Sequence, residues 1–148
     1  MSVPDNQTIE AWINLVRAYH LTFSNVESAL KDADFPSLSW YDVLLELDRV
    51  GADGLRPFEL QAKVLLPQYG VSRLIARIEN AGYLERVSCD NDGRGQHLKI
   101  TKSGKTLRKK MWRVYGEVLQ NKIGQKITEK QATELAATLK NIVQESNG

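Results

Sequence analysis

Two short stretches of this 148-residue chain concentrate side chains suited to hydrogen bonding with a polyanion. The first runs Gln68, Tyr69, Gly70, Val71, Ser72, Arg73 and continues to Arg77 and Asn80. A guanidinium fork matches guanine O6 and N7, and a primary amide matches adenine N6 and N7. Gln68 or Arg73 could therefore read base edges, whereas Tyr69, Ser72 and Arg77 could hold phosphates, which fix register without reading sequence. The second stretch is Asp92-Gly93-Arg94-Gly95, an arginine at the end of a glycine-flanked turn, free to extend from the body. A narrow groove attracts such an arginine through its concentrated negative potential. Asp92, two residues earlier, can hold the guanidinium in one rotamer by a charge-assisted bond.

The charge distribution supports the same partner. The net charge is only +2, but residues 1–60 hold four Lys/Arg against ten Asp/Glu, a net of −6. Residues 61–113 hold twelve against four, a net of +8, and residues 114–148 hold four of each. Basic residues gathered in the middle third are the asymmetry expected when one face meets a polyanion, and charge alone fits a solvated basic surface equally well.

Those side chains need elements to aim them, and apolar periodicity supplies the candidates. Ile9, Trp12, Ile13, Val16, Tyr19, Phe23, Val26 and Leu30 recur at steps of three and four, predicting a long amphipathic helix from about Asp5 to Lys31, ended by Pro36. Ser37 or Ser39 can cap a second helix, with Trp40, Val43, Leu44 and Leu47 on one face and a stop near Gly51 and Gly54. Leu55-Arg-Pro-Phe reads as a short extended piece and Phe58 to Val64 as a short helix. Pro67 suits the first position of the next helix, Gln68 to about Ala81. At about 100° per residue, Val71, Leu74, Ile75 and Ile78 point inward and Tyr69, Arg73, Ala76 and Asn80 outward, flanked by Ser72 and Arg77. Gly70 costs helix stability, and its place suggests room for close approach to a partner.

Gly82 stops that helix, and two strands follow, Tyr83–Cys89 and Gln96–Thr101, joined by the turn-rich Asp90-Asn-Asp-Gly-Arg-Gly. Thr101 or Ser103 opens a further helix carrying Leu107, Met111, Val114, Tyr115 and Val118 to about Gly124. Thr128-Glu-Lys-Gln131 is a capping-box pattern ahead of a last helix with Leu135, Leu139, Ile142 and Val143. The order is four helices, a hairpin and two helices: a mainly α chain with a small β-hairpin wing. Two short helices followed by a hairpin make a winged helix-turn-helix, whose second helix enters the major groove.

Other chemistries find little support. Two histidines, His20 and His97, and one cysteine, Cys89, cannot supply a zinc site without carboxylates. No nucleophile–base–orienter set and no phosphate-binding glycine loop is present, so neither an enzyme nor a cofactor is expected. A single cysteine, no apolar run near the ~20 residues of a membrane span, and no signal-peptide pattern at Met1-Ser-Val-Pro predict a cytoplasmic protein.

The wing sequence makes the assignment specific. Asp92-Gly-Arg-Gly-Gln-His-Leu-Lys-Ile-Thr101, followed by Lys-Ser-Gly104, resembles the wing of MarR-family regulators. Val71-Ser-Arg-Leu-Ile-Ala-Arg-Ile-Glu-Asn-Ala-Gly-Tyr-Leu-Glu-Arg86 resembles that family's recognition helix and its exit into the wing. The helix before it, Phe58-Glu-Leu-Gln-Ala-Lys-Val, departs from the commoner small-residue version. The resemblance implies one MarR-like domain over residues 1–148, with residues 1–35 and 104–148 as dimerisation helices around a DNA-binding lobe at 36–103. It implies a homodimeric regulator, typically a repressor, with two lobes astride a palindromic operator. By the same resemblance Arg94 enters the minor groove, Asp92 orients it, and Ser72 and Arg73 contact DNA. It further implies a small aromatic or phenolic effector in a pocket between the dimer helices and the lobe, with Trp12, Tyr19, His20, Trp40, Tyr41 and Trp112 as candidate linings. Thiol sensors of the family carry their cysteine in the first helix, so Cys89 does not match them. The competing reading is a winged-helix protein-interaction module whose basic face meets an acidic partner.

Overall fold

The computed structural model describes residues 2–65, 70–88 and 95–146. The chain folds as two compact units, one of residues 27–114 and one of residues 1–26 with 115–148. Six α-helices and one antiparallel hairpin are present among the described residues, in the order expected.

Helix α1 (Asn6–Asp32) opens at Asp5, whose carboxylate accepts the Thr8 backbone N–H at 2.7 Å. That bond holds the Asp5 carboxyl below its ordinary value. The cap is therefore fully present above the ordinary carboxylate range and is lost as pH falls through the lowered value. The helix stops ahead of the proline expected to end it. Asp34 takes φ 63°, and the Phe35 N–H returns to the Leu30 carbonyl at 2.9 Å, closing the last turn before Pro36 is reached.

Helix α2 (Leu38–Val50) starts at Ser37, but neither serine caps it through its side chain. The Ser37 and Ser39 hydroxyls bond each other at 2.8 Å, and the Leu38 N–H is taken by the Glu27 carboxylate from α1. Its buried face is wider than apolar periodicity predicts. Tyr41, Val43, Leu44 and Leu47 are buried as a core stripe, Asp42 and Glu46 are buried beside them, and Trp40 is half-buried. A single 3₁₀ turn (Gly51–Asp53) follows. Leu55 then forms an isolated antiparallel bridge with Leu98, fulfilling the short extended piece.

Helix α3 (Pro57–Lys63) begins on a proline, whose missing N–H costs nothing in the first turn. Glu59 reaches back to the Arg56 backbone N–H at 2.9 Å. Helix α4 (Val71–Asn80) precedes strands β1 (Leu84–Ser88) and β2 (Gln96–Ile100), which pair antiparallel from Leu84–Ile100 to Ser88–Gln96. Helix α5 (Lys102–Leu119) ends in a π turn (Gln120–Gly124). Helix α6 (Glu129–Ser146) carries the reciprocal capping box read from sequence: Gln131 N–H to Thr128 Oγ1 at 3.1 Å, and Thr128 N–H to Gln131 Oε1 at 2.9 Å.

The core of the 27–114 unit draws on every α-helix and strand in it, with Leu30, Leu44, Leu47, Leu60, Ile78, Leu84, Leu98 and Met111 almost wholly buried. Arg108 Nε to Asp48 Oδ2 at 2.6 Å ties α2 to α5, as does a near-parallel Tyr41–Trp112 ring pair 6.2 Å apart. The other unit is built differently. Its helices leave large apolar side chains in solvent, with Trp12 64% exposed, Leu21 58%, Tyr19 52% and Leu135 48%. In the isolated chain these stripes are uncovered surface, far more than scattered single residues would give.

Candidate nucleic-acid interface

Helix α4 is short, but its faces are sharply separated. Val71, Ile75 and Ile78 are buried, while Ser72, Arg73, Arg77 and Asn80 are exposed on the opposite side. The helix starts three residues later than Pro67 suggests, because Gly70 stands at its N-cap with φ 77°. Only glycine takes that left-handed geometry without penalty, so Gly70 marks the entry turn rather than a weak point inside the helix. Gln68 and Tyr69, expected in its first turn, lie outside the described residues, as do Cys89, Asp92 and Arg94.

The helix is aimed from both ends. At its exit the Tyr83 N–H returns to the Ile78 carbonyl at 3.1 Å around Gly82, the expected stop. The Gly82 carbonyl accepts two hydroxyls from the far side of the hairpin, Thr101 Oγ1 at 2.7 Å and Ser103 Oγ at 2.9 Å. Thr101 also donates its N–H to the Tyr83 carbonyl at 3.1 Å and accepts the Gly104 N–H at 3.1 Å. One junction thus joins the end of α4, the base of the wing and the start of α5. Near the entry, the buried Asp42 of α2 accepts the Leu65 N–H at 2.7 Å, just ahead of the turn into α4. The ties through Asp42, Thr101 Oγ1 and Ser103 do not read from local pattern, since each joins residues 19 to 23 positions apart.

Electrostatics favour the same face. Glu79 is the one acid on α4, and Arg86 of β1 engages it through Nε at 2.9 Å. That pair locks the hairpin to the helix and offsets the acid, so Arg73 and Arg77 dominate the exposed side. On the wing, Leu98 and Ile100 point inward, and His97 Nδ1 meets the Asp53 carbonyl at 3.1 Å.

The six aromatic candidates are divided between the two units. Trp12, Tyr19 and His20 belong to the unit of residues 1–26 and 115–148, where Tyr19 stacks on Phe23 at 5.6 Å and tilts against His20 at 5.7 Å. Trp40, Tyr41 and Trp112 belong to the other unit. Tyr41 is core, and Trp40 meets Tyr83 edge-on at 6.1 Å. A cleft of about 670 Å³ within residues 27–114 is lined by Phe35, Pro36, Tyr83 and Leu107 together with Asp34, Lys102 and Lys110. Sequence reasoning does not reach it, because its walls come from segments far apart in the chain. Among the described residues no His, Cys, Asp and Glu cluster could hold a metal ion, and no helix is long and apolar enough to cross a membrane.

Residues 36–95, from the start of α2 to the wing, match the MarR family. That match covers the winged-helix segment and less than half of the chain. Solved structures repeat this architecture over nearly its whole length. Sco3205, a MarR family transcriptional regulator from Streptomyces coelicolor solved in complex with DNA, is 19% identical with a TM-score of 0.87, covering 98% of this chain and 91% of its own. AbsC, a MarR family regulator from the same organism, is 21% identical with a TM-score of 0.86, covering 100% and 99%. A mutant MarR from E. coli complexed with operator DNA is 20% identical with a TM-score of 0.77, covering 95% and 99%. At these identities the likeness is one of fold. No curated protein matches the chain.

Proposed function

We propose that this chain is a MarR-family regulator, a homodimeric transcriptional repressor that binds a palindromic operator in double-stranded DNA, and that a small aromatic or phenolic effector relieves the binding. The observation that carries the reading is helix α4, whose buried stripe presents Ser72, Arg73 and Arg77 to solvent immediately before the wing. On this reading α4 lies in the major groove. Ser72, Arg73 and Arg77 on α4, with Gln68, Tyr69 and Gly70 ahead of it in sequence, are the DNA-facing set, and Arg94, oriented by Asp92, reaches the minor groove.

Dimerisation is assigned to helices within residues 1–35 and 104–148, and the DNA-binding lobe to 36–103. The support is the exposed apolar set Ile9, Trp12, Ile13, Tyr19 and Leu135, which a second copy would cover. Trp12, Tyr19, His20, Trp40, Tyr41 and Trp112 remain the aromatic set proposed for the effector. A cytoplasmic location, where the operator lies, accompanies this reading.

Removing Arg73 tests it. Arg73→Ala is expected to weaken operator binding by about 1–3 kcal/mol at fixed salt if the guanidinium makes a bidentate base contact, and to relax discrimination at one base pair. A mobility-shift titration giving wild-type affinity and wild-type discrimination, with Arg94→Ala equally silent, would contradict the assignment.

A further inference from the structure

We propose that the outer face of α5, with the cleft along its edge, is a docking site for an acidic protein segment that carries an apolar anchor side chain. The site is separate from α4 and the wing tip, and it adds a protein partner to the DNA partner proposed above.

The residues of α5 divide by face. Gly104, Leu107 and Met111 are buried, and Arg108 turns to α2, where Asp48 engages it. Lys102, Lys105, Lys109, Lys110 and Arg113 are all exposed. At about 100° per residue they fall within an arc of about 140° on the side away from the buried one. They extend over about 16 Å of helix axis. Among the described residues none of the five is ion-paired, and the one acid in the helix, Glu117, lies beyond Arg113. Carboxylates three or four residues apart on a facing acidic helix repeat at the same pitch, so opposite charges meet along the whole stripe.

Charge alone also fits a solvated face, and the cleft is the second feature. Lys102, Thr106 and Lys110, at the edge of the stripe, form one wall of this space of about 670 Å³, and Phe35, Pro36, Tyr83 and Leu107 line the rest with apolar surface. The walls are preformed. The Phe35 N–H returns to the Leu30 carbonyl at 2.9 Å, and Tyr83 is tied through its N–H to Ile78 and through its carbonyl to Thr101, each at 3.1 Å. Phe35, Pro36 and Tyr83 are half-buried, which leaves part of each open to a guest. A nucleic-acid backbone, phosphate and sugar, has no apolar side chain to place there; a phenylalanine or leucine between acidic residues does. Asp34 also lines the cleft and opposes an acidic guest, so the attraction comes from the stripe.

The test is fluorescence anisotropy with the purified full chain and a labelled peptide holding one phenylalanine between two runs of glutamate. Saturable binding is expected, and serine in place of the peptide's phenylalanine should weaken it about tenfold or more, the loss of one apolar anchor. At fixed salt, Lys102→Gln/Lys110→Gln should weaken it about five- to tenfold, and Asp34→Asn should tighten it about two- to fivefold. Asparagine tolerates the φ of 63° at position 34, so that variant keeps the turn. Affinity for a random-sequence duplex should be the same in the lysine variant as in the wild type. Arg73→Ala should leave peptide affinity unchanged, so failure of the DNA-binding reading and failure of this one are separately visible. No binding of the peptide, equal binding of the phenylalanine and serine peptides, or weaker binding in Asp34→Asn would overturn the proposal. So would a lysine variant of wild-type melting temperature that keeps its peptide affinity, or one that loses duplex and peptide affinity by the same factor, as a general polyanion surface would.

Discussion

Replacing Gly104 by alanine is expected to destabilise the protein by about 2 kcal/mol or more, although helix propensity alone predicts a gain of about 1 kcal/mol. Gly104 lies in the first turn of α5, where a β-carbon would overlap the Tyr83 carbonyl oxygen and come within 2.8 Å of Ile100 Cγ1. Propensity loses because the obstacle is backbone. The Tyr83 carbonyl is pinned by the Thr101 N–H, and neighbouring Gly82 by two hydroxyls, so neither can swing aside. The start of α5 would have to lift away from the junction that also fixes the exit of α4. Thermal unfolding followed by circular dichroism should show the melting temperature falling by roughly 5–10 °C. An alanine variant as stable as the parent would show that the close approach is not a constraint.

Leu98→Ala is expected to cost about 2–5 kcal/mol, the range for emptying a fully buried leucine site. Leu98 has 0% exposure, and its backbone carries both the bridge to Leu55 and the pairing to Arg86. Its side chain therefore sits where the wing, the approach to α3 and the core converge. A cavity there cannot close without moving the hairpin against the helices. Glu85→Ala on the exposed face of the same hairpin is the control and should change stability by no more than about 0.5 kcal/mol. Urea titration of the two variants separates the cases, and equal midpoints would refute the packing argument.

What can be read from sequence and what cannot follows from range. The capping box at Thr128–Gln131 and the inward stripe of α4 depend on residues three or four apart; the box stands as read, and of the stripe Val71, Ile75 and Ile78 are buried and Leu74 half-buried. Pro67 misplaces the start of α4 because it satisfies a local rule for a helix start, whereas Gly70, with its left-handed backbone, is where the turn closes. Asp34 pre-empts Pro36 in the same way at the end of α1. The devices that aim α4 are invisible to local pattern, since Asp42 meets Leu65 and Thr101 meets Gly82 only after folding. Burial of Asp42 and Glu46 on α2 likewise runs against a reading that sends charge to solvent. The basic middle third is legible as composition, but composition cannot bring Phe35 and Tyr83 beside Lys102 and Lys110 around one cleft.

The central claim is that α4 and the wing read duplex DNA as a symmetric pair. Selection of bound duplexes from a random pool with the purified full chain tests it most directly, because it reports specificity and symmetry together. Enrichment of palindromic sites with half-sites about one helical turn apart is the predicted result. A recovered pool no different from the input, or one enriched only in a single unpaired half-site, would contradict it.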